Sequence, residues 1–550
     1  MNNGVRVLNS RNRSARQFFA AVVGIMILVA VAPRAHAVPC ETLANLKLPD
    51  TTITSAHNVA AGPFIPPGGG PASALATPAF CRVTAEIKPA SDSDIKIEVW
   101  MPVTGWNGKY AGVGNGGFAG SISYAPLAVA VRAGYAAAST DTGHAGAPTN
   151  ATWALGHPDR VVDFGYRAIH EMTLKAKAII KAFYDDDAKH SYFSSCSNGG
   201  RQALMEAQRF PEDYDGIIAG APANFWTHLL TAGAWDLQAT QNDSASYIPA
   251  AKIPALSAAV LKACDALDGV TDGLINDPRA CRFDPASLLC KEGDSNTCLT
   301  SPQVAALKKL YAGPFYSKGG RIFPGRVMGA EEGSGGWPLW ITGNAPSTSL
   351  TFQFTTNFFA NMVFGDPKWD FKTLNIDSGV RTADERQAHN LNATRATLNA
   401  FERRGGKLII YHGWNDPAIS AYNTIDYYNS IVVAMGPKDT NSFVRLFMVP
   451  GMQHCFGGPG PNSFGQSGPT TPPVDPQHSI YSALEQWVEK GTAPERIVAT
   501  KSLGDMAPAQ GVKMTRPLCA FPKVAQYNGS GDTNDEANFI CAERKPLESR

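Results

Sequence analysis

All ten cysteines of this chain, Cys40 to Cys541, follow a short apolar run near the N-terminus, and that order narrows the possible folds more than any other feature. Arg6, Arg11, Arg13 and Arg16 lead into the run from Phe18 to Ala32, and Ala35-His36-Ala37 follows it as a small-x-small pattern. A basic flank, a short apolar core and a small-residue cleavage site are the parts of an export signal, so residues 1–37 are expected to be removed. The run is short for a membrane span, and no later stretch is long and apolar enough to be one, so no membrane partner is expected after cleavage. An even number of cysteines in an exported chain reads as disulfides, in a secreted or periplasmic protein beginning near Val38. Zinc would need C-x-x-C pairs or clustered Cys/His spacing, and neither occurs. Pairing stays open at this level, although Cys264 and Cys281, Cys290 and Cys298, and Cys519 and Cys541 are close neighbours.

With 550 residues the chain can bury a large core and divide into more than one domain. A net charge of +1 implies no strongly basic face, which argues against a nucleic-acid partner. From about residue 94 to 225 strand-like and helix-like stretches alternate. Ile95 to Met101, Lys109 to Val113 and Tyr135 to Ser139 are short apolar runs ended by Gly, Pro or Asp. Arg160 to Tyr184 repeats apolar residues at helical spacing, Ser191 to Ser195 reads as a strand, Gly200 to Phe210 as a helix and Gly216 to Ala221 as a buried strand. The alternation breaks at about 226 and returns with a strand at Lys407 to Tyr411, a helix at Tyr422 to Met435, a strand at Val444 to Val449 and a helix at Gln477 to Lys490. This pattern predicts a parallel sheet covered on both faces, formed by 38–225 and 401–550 and interrupted by an insertion over 226–400. The insertion is far too long for a structureless loop.

Ser195-Cys196-Ser197-Asn198-Gly199 falls where a strand passes into a helix. Small residues two positions either side of Ser197 suit a nucleophile elbow, whose sharp turn leaves no room for larger side chains; Ser195 stands where the G-x-S-x-G pattern has its first glycine. A serine hydroxyl needs a base to take its proton and an acid to orient the base. Asp416 follows the strand ending at Tyr411, and His454 follows the one ending at Val449. The order Ser, acid, His is that of an α/β-hydrolase fold. His412 and His144 compete for the base, but the first precedes the candidate acid and the second precedes Ser197. Cys196 directly precedes the serine and Cys455 directly follows the histidine. A bond between them would bring their Cα atoms within about 4.4–6.8 Å and hold nucleophile and base side by side. Chain entropy gives such a bond about 5 kcal/mol, less any strain.

With Cys196-Ser197-Asn198-Gly199-Gly200-Arg201-Gln202, Gly413-Trp414-Asn415-Asp416-Pro417 and Gly451-Met452-Gln453-His454-Cys455 in this order, the chain resembles the tannase/feruloyl esterase family, which includes the mono(2-hydroxyethyl) terephthalate hydrolases. The resemblance runs from about Cys40 to Cys541. It implies an α/β-hydrolase fold with a large inserted lid domain and a Ser197–His454–Asp416 triad. It also implies the disulfides Cys196–Cys455, Cys40–Cys81, Cys264–Cys281, Cys290–Cys298 and Cys519–Cys541. The oxyanion hole would come from the N–H of Asn198 and a glycine-rich loop, Gly114 to Phe118, with Gly117 as its donor. Glycine there lets a backbone N–H approach the substrate oxygen closely.

Residues 264–277 are dense in carboxylates and glycine, and hard oxygen ligands on a tightly turning loop suit Ca²⁺. The resemblance implies a structural Ca²⁺ held by the side chains of Asp265, Asp268 and Asp272 and the carbonyls of Val270 and Leu274. The insertion carries Trp337, Trp340, Phe352, Phe354, Phe358, Phe359, Phe364, Trp369 and Phe371, most of them expected in the core. A lid lined by some of them would suit a small-molecule ester of a phenolic acid, such as a feruloyl or galloyl ester. A terephthalate monoester is a narrower alternative of the same family. A serine peptidase and a non-catalytic binding protein are the rivals from other classes.

Overall fold

The computed structural model describes residues 38–469, 471, 475–504 and 507–544; the expected export signal lies outside the described residues. Nine strands form one sheet. In chain order they are β1 (Thr51–Val59), β2 (Phe80–Ile87), β3 (Ile95–Pro102), β4 (Lys109–Val113), β5 (Ala136–Thr140), β6 (His190–Cys196), β7 (Gly216–Gly220), β8 (Lys407–Gly413) and β9 (Val444–Val449). Their spatial order is β1-β2-β3-β5-β4-β6-β7-β8-β9. The first three strands and β5 pair antiparallel, and every pair from β5 to β9 is parallel. Residues 221–406 add no strand to this sheet among the described residues.

Alternation of side chains along the strands fills two layers at once. In β8, Leu408 and Ile410 face one layer while Ile409 and Tyr411 face the other; β6 divides Phe193 from Tyr192 in the same way. Helices α1 (Tyr124–Arg132), α2 (Ala168–Tyr184) and α3 (Asn198–Arg209) follow the first parallel strands, and α4 (Trp226–Gln241) and α5 (Leu350–Asn357) lie in the insertion. Helices α6 (Ala421–Met435) and α7 (Ile480–Lys490) come after β8 and β9. Buried residues of α2, α3 and α6 pack in one layer, and those of α1 and α7 in the other. Such buried parallel strands read as continuous apolar runs, which is why β6 to β9 are visible in the sequence. A hairpin of β10 (Arg496–Gly504) and β11 (Ala507–Cys519) follows α7.

The parallel registers align Cys196 with Gly220, Gly220 with Tyr411, and Gly413 with Val449. The carboxyl ends of β6, β8 and β9 therefore open onto one edge, where open α/β sheets place their ligands. All ten cysteines are bonded, in the five pairs the family resemblance implies. In the insertion, Trp337, Phe358, Phe359 and Phe371 are buried as core, while Trp340 and Phe354 reach the cavity described next.

Candidate active site

Ser197 links β6 to α3 with φ 67° and ψ −124°, a conformation side-chain-bearing residues rarely adopt. Neighbours hold it there: its N–H donates to Gly220 O at 2.9 Å, and its carbonyl accepts from Arg201 N and Ala223 N, both at 3.1 Å. A Cβ on Gly199 would lie 1.9 Å from Ser195 Oγ, and one on Gly114 would lie 2.8 Å from the same atom. The hydroxymethyl of Ser195 thus occupies the space that two facing glycines leave, and the elbow closes without a glycine at 195.

His454 Nε2 lies 2.9 Å from Ser197 Oγ, and His454 Nδ1 lies 2.8 Å from Asp416 Oδ2. The Asp416 carboxylate faces Nδ1, so Nδ1 carries the ring proton and Nε2 is free to accept the serine proton. Asp416 Oδ1 accepts from the N–H groups of Ala418 (2.8 Å) and Ile419 (3.0 Å). Burial acts to raise this carboxyl, but the charge and hydrogen bonds of His454 and His412 outweigh it and hold it well below the usual carboxylate range. The bond between Cys196 and Cys455, with Cα atoms 6.0 Å apart, ties the residues beside serine and histidine.

Sequence order had set His412 aside as a base, and the structure gives it a different place. It is fully buried, its Nε2 lies 3.1 Å from both Asp416 Oδ2 and Ile419 O, and its Nδ1 lies 2.7 Å from Thr424 Oγ1. Two acceptors at Nε2 fix the proton there, so Asp416 is held by two imidazoles, only one of which reaches the serine. The i, i+4 spacing of His412 and Asp416 is the signal that could have found this. His144 is also accounted for: burial lowers it to about 4, it stacks on Trp153, and its Nε2 lies 2.7 Å from Phe118 O beside the glycine loop.

The N–H of Asn198 belongs to the first turn of α3, where helix donors have no intrahelical partner. In the loop after β4, Asn115 N donates to Gln202 Oε1, Phe118 N to Pro148 O and Ala119 N to Gly116 O. The N–H groups of Gly116 and Gly117 donate to no described residue, and both glycines line the cavity at Ser197. Gly117 has φ 56° and no room for a Cβ, which would meet Pro148 O at 2.3 Å. Gln202 fixes this loop from α3: its Nε2 also donates to Asn115 Oδ1 at 3.3 Å, making a buried reciprocal amide pair.

Ser197 and His454 open into a cavity of about 1020 Å³. Trp226, Leu229 and Leu230 of α4, and Trp340, Leu350 and Phe354 further along the insertion, give it apolar walls. Trp340 meets the His454 ring edge to face at 5.0 Å. Among the described lining residues the charged or titratable groups are His454, Arg326 and Tyr411, with no carboxylate. Arg326 is engaged elsewhere: Nε donates to buried Asp236 at 2.8 Å, and Nη1 to Pro417 O at 2.6 Å and Ala418 O at 3.0 Å.

In the acidic loop, Asp265 accepts from Asp272 N (3.2 Å) and Gly273 N (3.0 Å), and Asp268 from Val270 N (3.0 Å). Asp272 accepts from Leu274 N at 3.1 Å and pairs with Arg516 at 2.6 Å. The carbonyls of Val270 and Leu274 accept from no described residue, and the donor set consists of hard oxygens, the chemistry Ca²⁺ takes, although the three carboxylates do not converge within 4.8 Å of one another. Other groups of acids and histidines are drawn tighter: the ligand atoms of His170, Glu206 and Asp213 all lie within 4.8 Å of one another.

A mixed sheet of this order, with a serine at the elbow and a histidine and an aspartate on the neighbouring strand ends, defines the α/β-hydrolase class. The family model described as tannase and feruloyl esterase matches residues 81–542. An uncharacterized esterase of Xanthomonas campestris pv. campestris is 44% identical over 546 residues, covering 95% of this chain and 94% of its own length. A probable feruloyl esterase B-2 of Aspergillus flavus is 35% identical, covering 82% of this chain and 84% of its own. Among solved structures, feruloyl esterase B from Aspergillus oryzae superposes with a TM-score of 0.84 at 30% identity, covering 92% of this chain and 99% of its own. The chain belongs to the tannase and feruloyl esterase family and is a carboxylic ester hydrolase.

Proposed function

We propose that the chain is an exported serine esterase that cleaves esters of phenolic acids through a Ser197–His454–Asp416 triad. The observation carrying this reading is the continuous chain Ser197 Oγ–His454 Nε2, His454 Nδ1–Asp416 Oδ2 at the floor of an apolar cavity. His454 takes the Ser197 proton as Oγ attacks the ester carbonyl. The N–H groups of Asn198 and Gly117 face the developing oxyanion. His454 passes its proton to the leaving alcohol, and water then repeats the sequence on the acyl-enzyme. Asp416 holds the imidazole tautomer and favours its charged form. The insertion acts as a lid whose Trp340, Leu350 and Phe354 pack on the aromatic acyl group.

Feruloyl esters are favoured because relatives with this name match most of the chain. The cavity also speaks against a terephthalate monoester, since its free carboxylate would meet no uncommitted cation among the described lining residues: Arg326 already serves Asp236 and two carbonyls. A structural Ca²⁺ bound by Asp265, Asp268, Asp272 and the carbonyls of Val270 and Leu274 would brace the insertion. Export is supported by the N-terminal pattern and by five disulfides; no helix among the described residues is long and apolar enough to cross a membrane.

The test compares wild type with Ser197→Ala on methyl ferulate, methyl gallate, a terephthalate monoester and a peptide amide. Wild type should cleave a phenolic ester fastest, and the variant should lose on the order of 10⁴-fold or more in kcat. Equal activity of the variant, or preference for the terephthalate ester or the amide, overturns the reading.

A further inference from the structure

Among the described residues the buried arginines other than Arg201 come with acids: Arg326 with Asp236 and Arg516 with Asp272. Arg201 does not. It is fully buried in α3, its Nε donates to Asn198 Oδ1 at 2.8 Å, its Nη1 to Gly165 O at 2.7 Å and its Nη2 to Phe164 O at 3.0 Å. Its guanidinium lies over the rings of Phe164 and Trp226, at 4.8 and 5.3 Å from their centroids. Every one of these partners is neutral. Burial lowers the guanidinium to about 9, so it keeps its charge at neutral pH. Placing an ion in a low-dielectric interior without a counterion is strongly unfavourable, so a charge kept in this way calls for a use.

Position suggests that use. Arg201 sits one helical turn after Ser197 and is bonded to Asn198, the residue whose N–H faces the reacting oxygen in the reading above. Trp226, beneath the guanidinium, is itself a wall of the substrate cavity. Holding Asn198 Oδ1 also fixes that side chain, since reversing its amide would set donor against donor.

We propose that Arg201 is a positioning residue whose uncompensated charge, anchored on Asn198 at the head of α3, favours the negative charge that develops on the substrate carbonyl oxygen. The inference rests on the assignment of Ser197 and Asn198 and adds a long-range electrostatic contribution to their hydrogen bonds. The rival role is purely structural, tying α3 to the Phe164–Gly165 segment.

Arg201→Met and Arg201→Lys separate the two, read by kcat and KM on methyl ferulate, by inhibition with phenylboronic acid, and by melting temperature. Boronate forms a tetrahedral anion on the serine, so its affinity reports on the same charge. Arg201→Met should lose about 10- to 100-fold in kcat with KM within about threefold, weaken phenylboronic acid in parallel, and be largely rescued by Lys. A folded Arg201→Met with kcat within about twofold of wild type overturns the proposal, as does a Lys variant as slow as Met. Should Arg201→Met fail to fold, Asn198→Asp supplies the missing anion: melting temperature should hold or rise while kcat falls about tenfold or more, and an unchanged kcat overturns the proposal. Ser197→Ala keeps the outcomes distinct: if it stays active, the triad reading fails; if it is dead while these variants are normal, only the inference fails.

Discussion

Gln202 commits both ends of its amide to Asn115, and Asn115 in turn donates to Ser121 O and Thr140 O. One side chain on α3 thus sets the height of the glycine loop that faces it. Gln202→Met removes both bonds at similar volume and leaves Asn115 N without an acceptor. We expect a loss of about 1–3 kcal/mol in unfolding free energy and roughly tenfold in kcat, checked by denaturant titration and steady-state kinetics. A normal kcat would mean that Gly116 and Gly117 are held by their own turn. Ser197, Asp416 and His454 were legible in the sequence because each follows a buried strand, chain order chose among three histidines, and a cysteine flanks two of them. Arg201 and Gln202 were visible only as part of a motif, because the partners they select lie on other elements. Arg326 and Trp340 come from the insertion, where no periodicity says which side chain turns inward.

The parallel strands at the centre of the sheet were the most legible elements, while the alternately buried β2 and the largely buried α4 were not read from the sequence. Strands β4 and β9 fall where their apolar runs end, whereas β1, Thr51-Thr-Ile-Thr-Ser-Ala-His-Asn-Val59, is an edge strand with no fully buried residue and carries no apolar run to read. Within the insertion, the turn at Gly329 is held by buried Glu331: Glu331 accepts from Gly329 N at 2.9 Å and from Tyr311 O–H at 2.8 Å, and Asn415 Nδ2 donates to Gly329 O. Burial raises this carboxyl to about 7. A carboxyl whose pKa is raised on folding contributes its stability in full below the unfolded value of about 4.3 and loses it as pH rises through about 7. Glu331→Gln should therefore melt close to wild type near pH 5 and above it at pH 8, by about 1–3 kcal/mol. A constant offset across that range would contradict this. The acidic loop makes a second element-scale prediction. Chelation should lower melting temperature more than it changes initial rate, because the proposed Ca²⁺ site would brace the insertion and supply no group to the reaction. An unchanged melting curve after thorough chelation would count against a bound ion.

For the molecule as a whole, the decisive tie is the bond between Cys196 and Cys455, residues 259 apart in sequence. Mild reduction, or the paired Cys196→Ala and Cys455→Ala substitutions, should remove activity at temperatures where circular dichroism still reports a folded sheet, since the two loops lose their common anchor before the core opens. Loss of activity only along with the sheet would assign the bond to stability alone. The same bond bears on how the protein is made. Synthesis runs from the N-terminus, so Cys196 emerges with no partner, and the next thiol to follow is Cys264. Oxidation in order of appearance would join the wrong pair, and the native match must wait for nearly the whole chain. If the chain is exported as proposed, its maturation should be paced by thiol exchange, a step of seconds to hours, and its yield in a host should track disulfide-isomerase capacity more closely than translation rate.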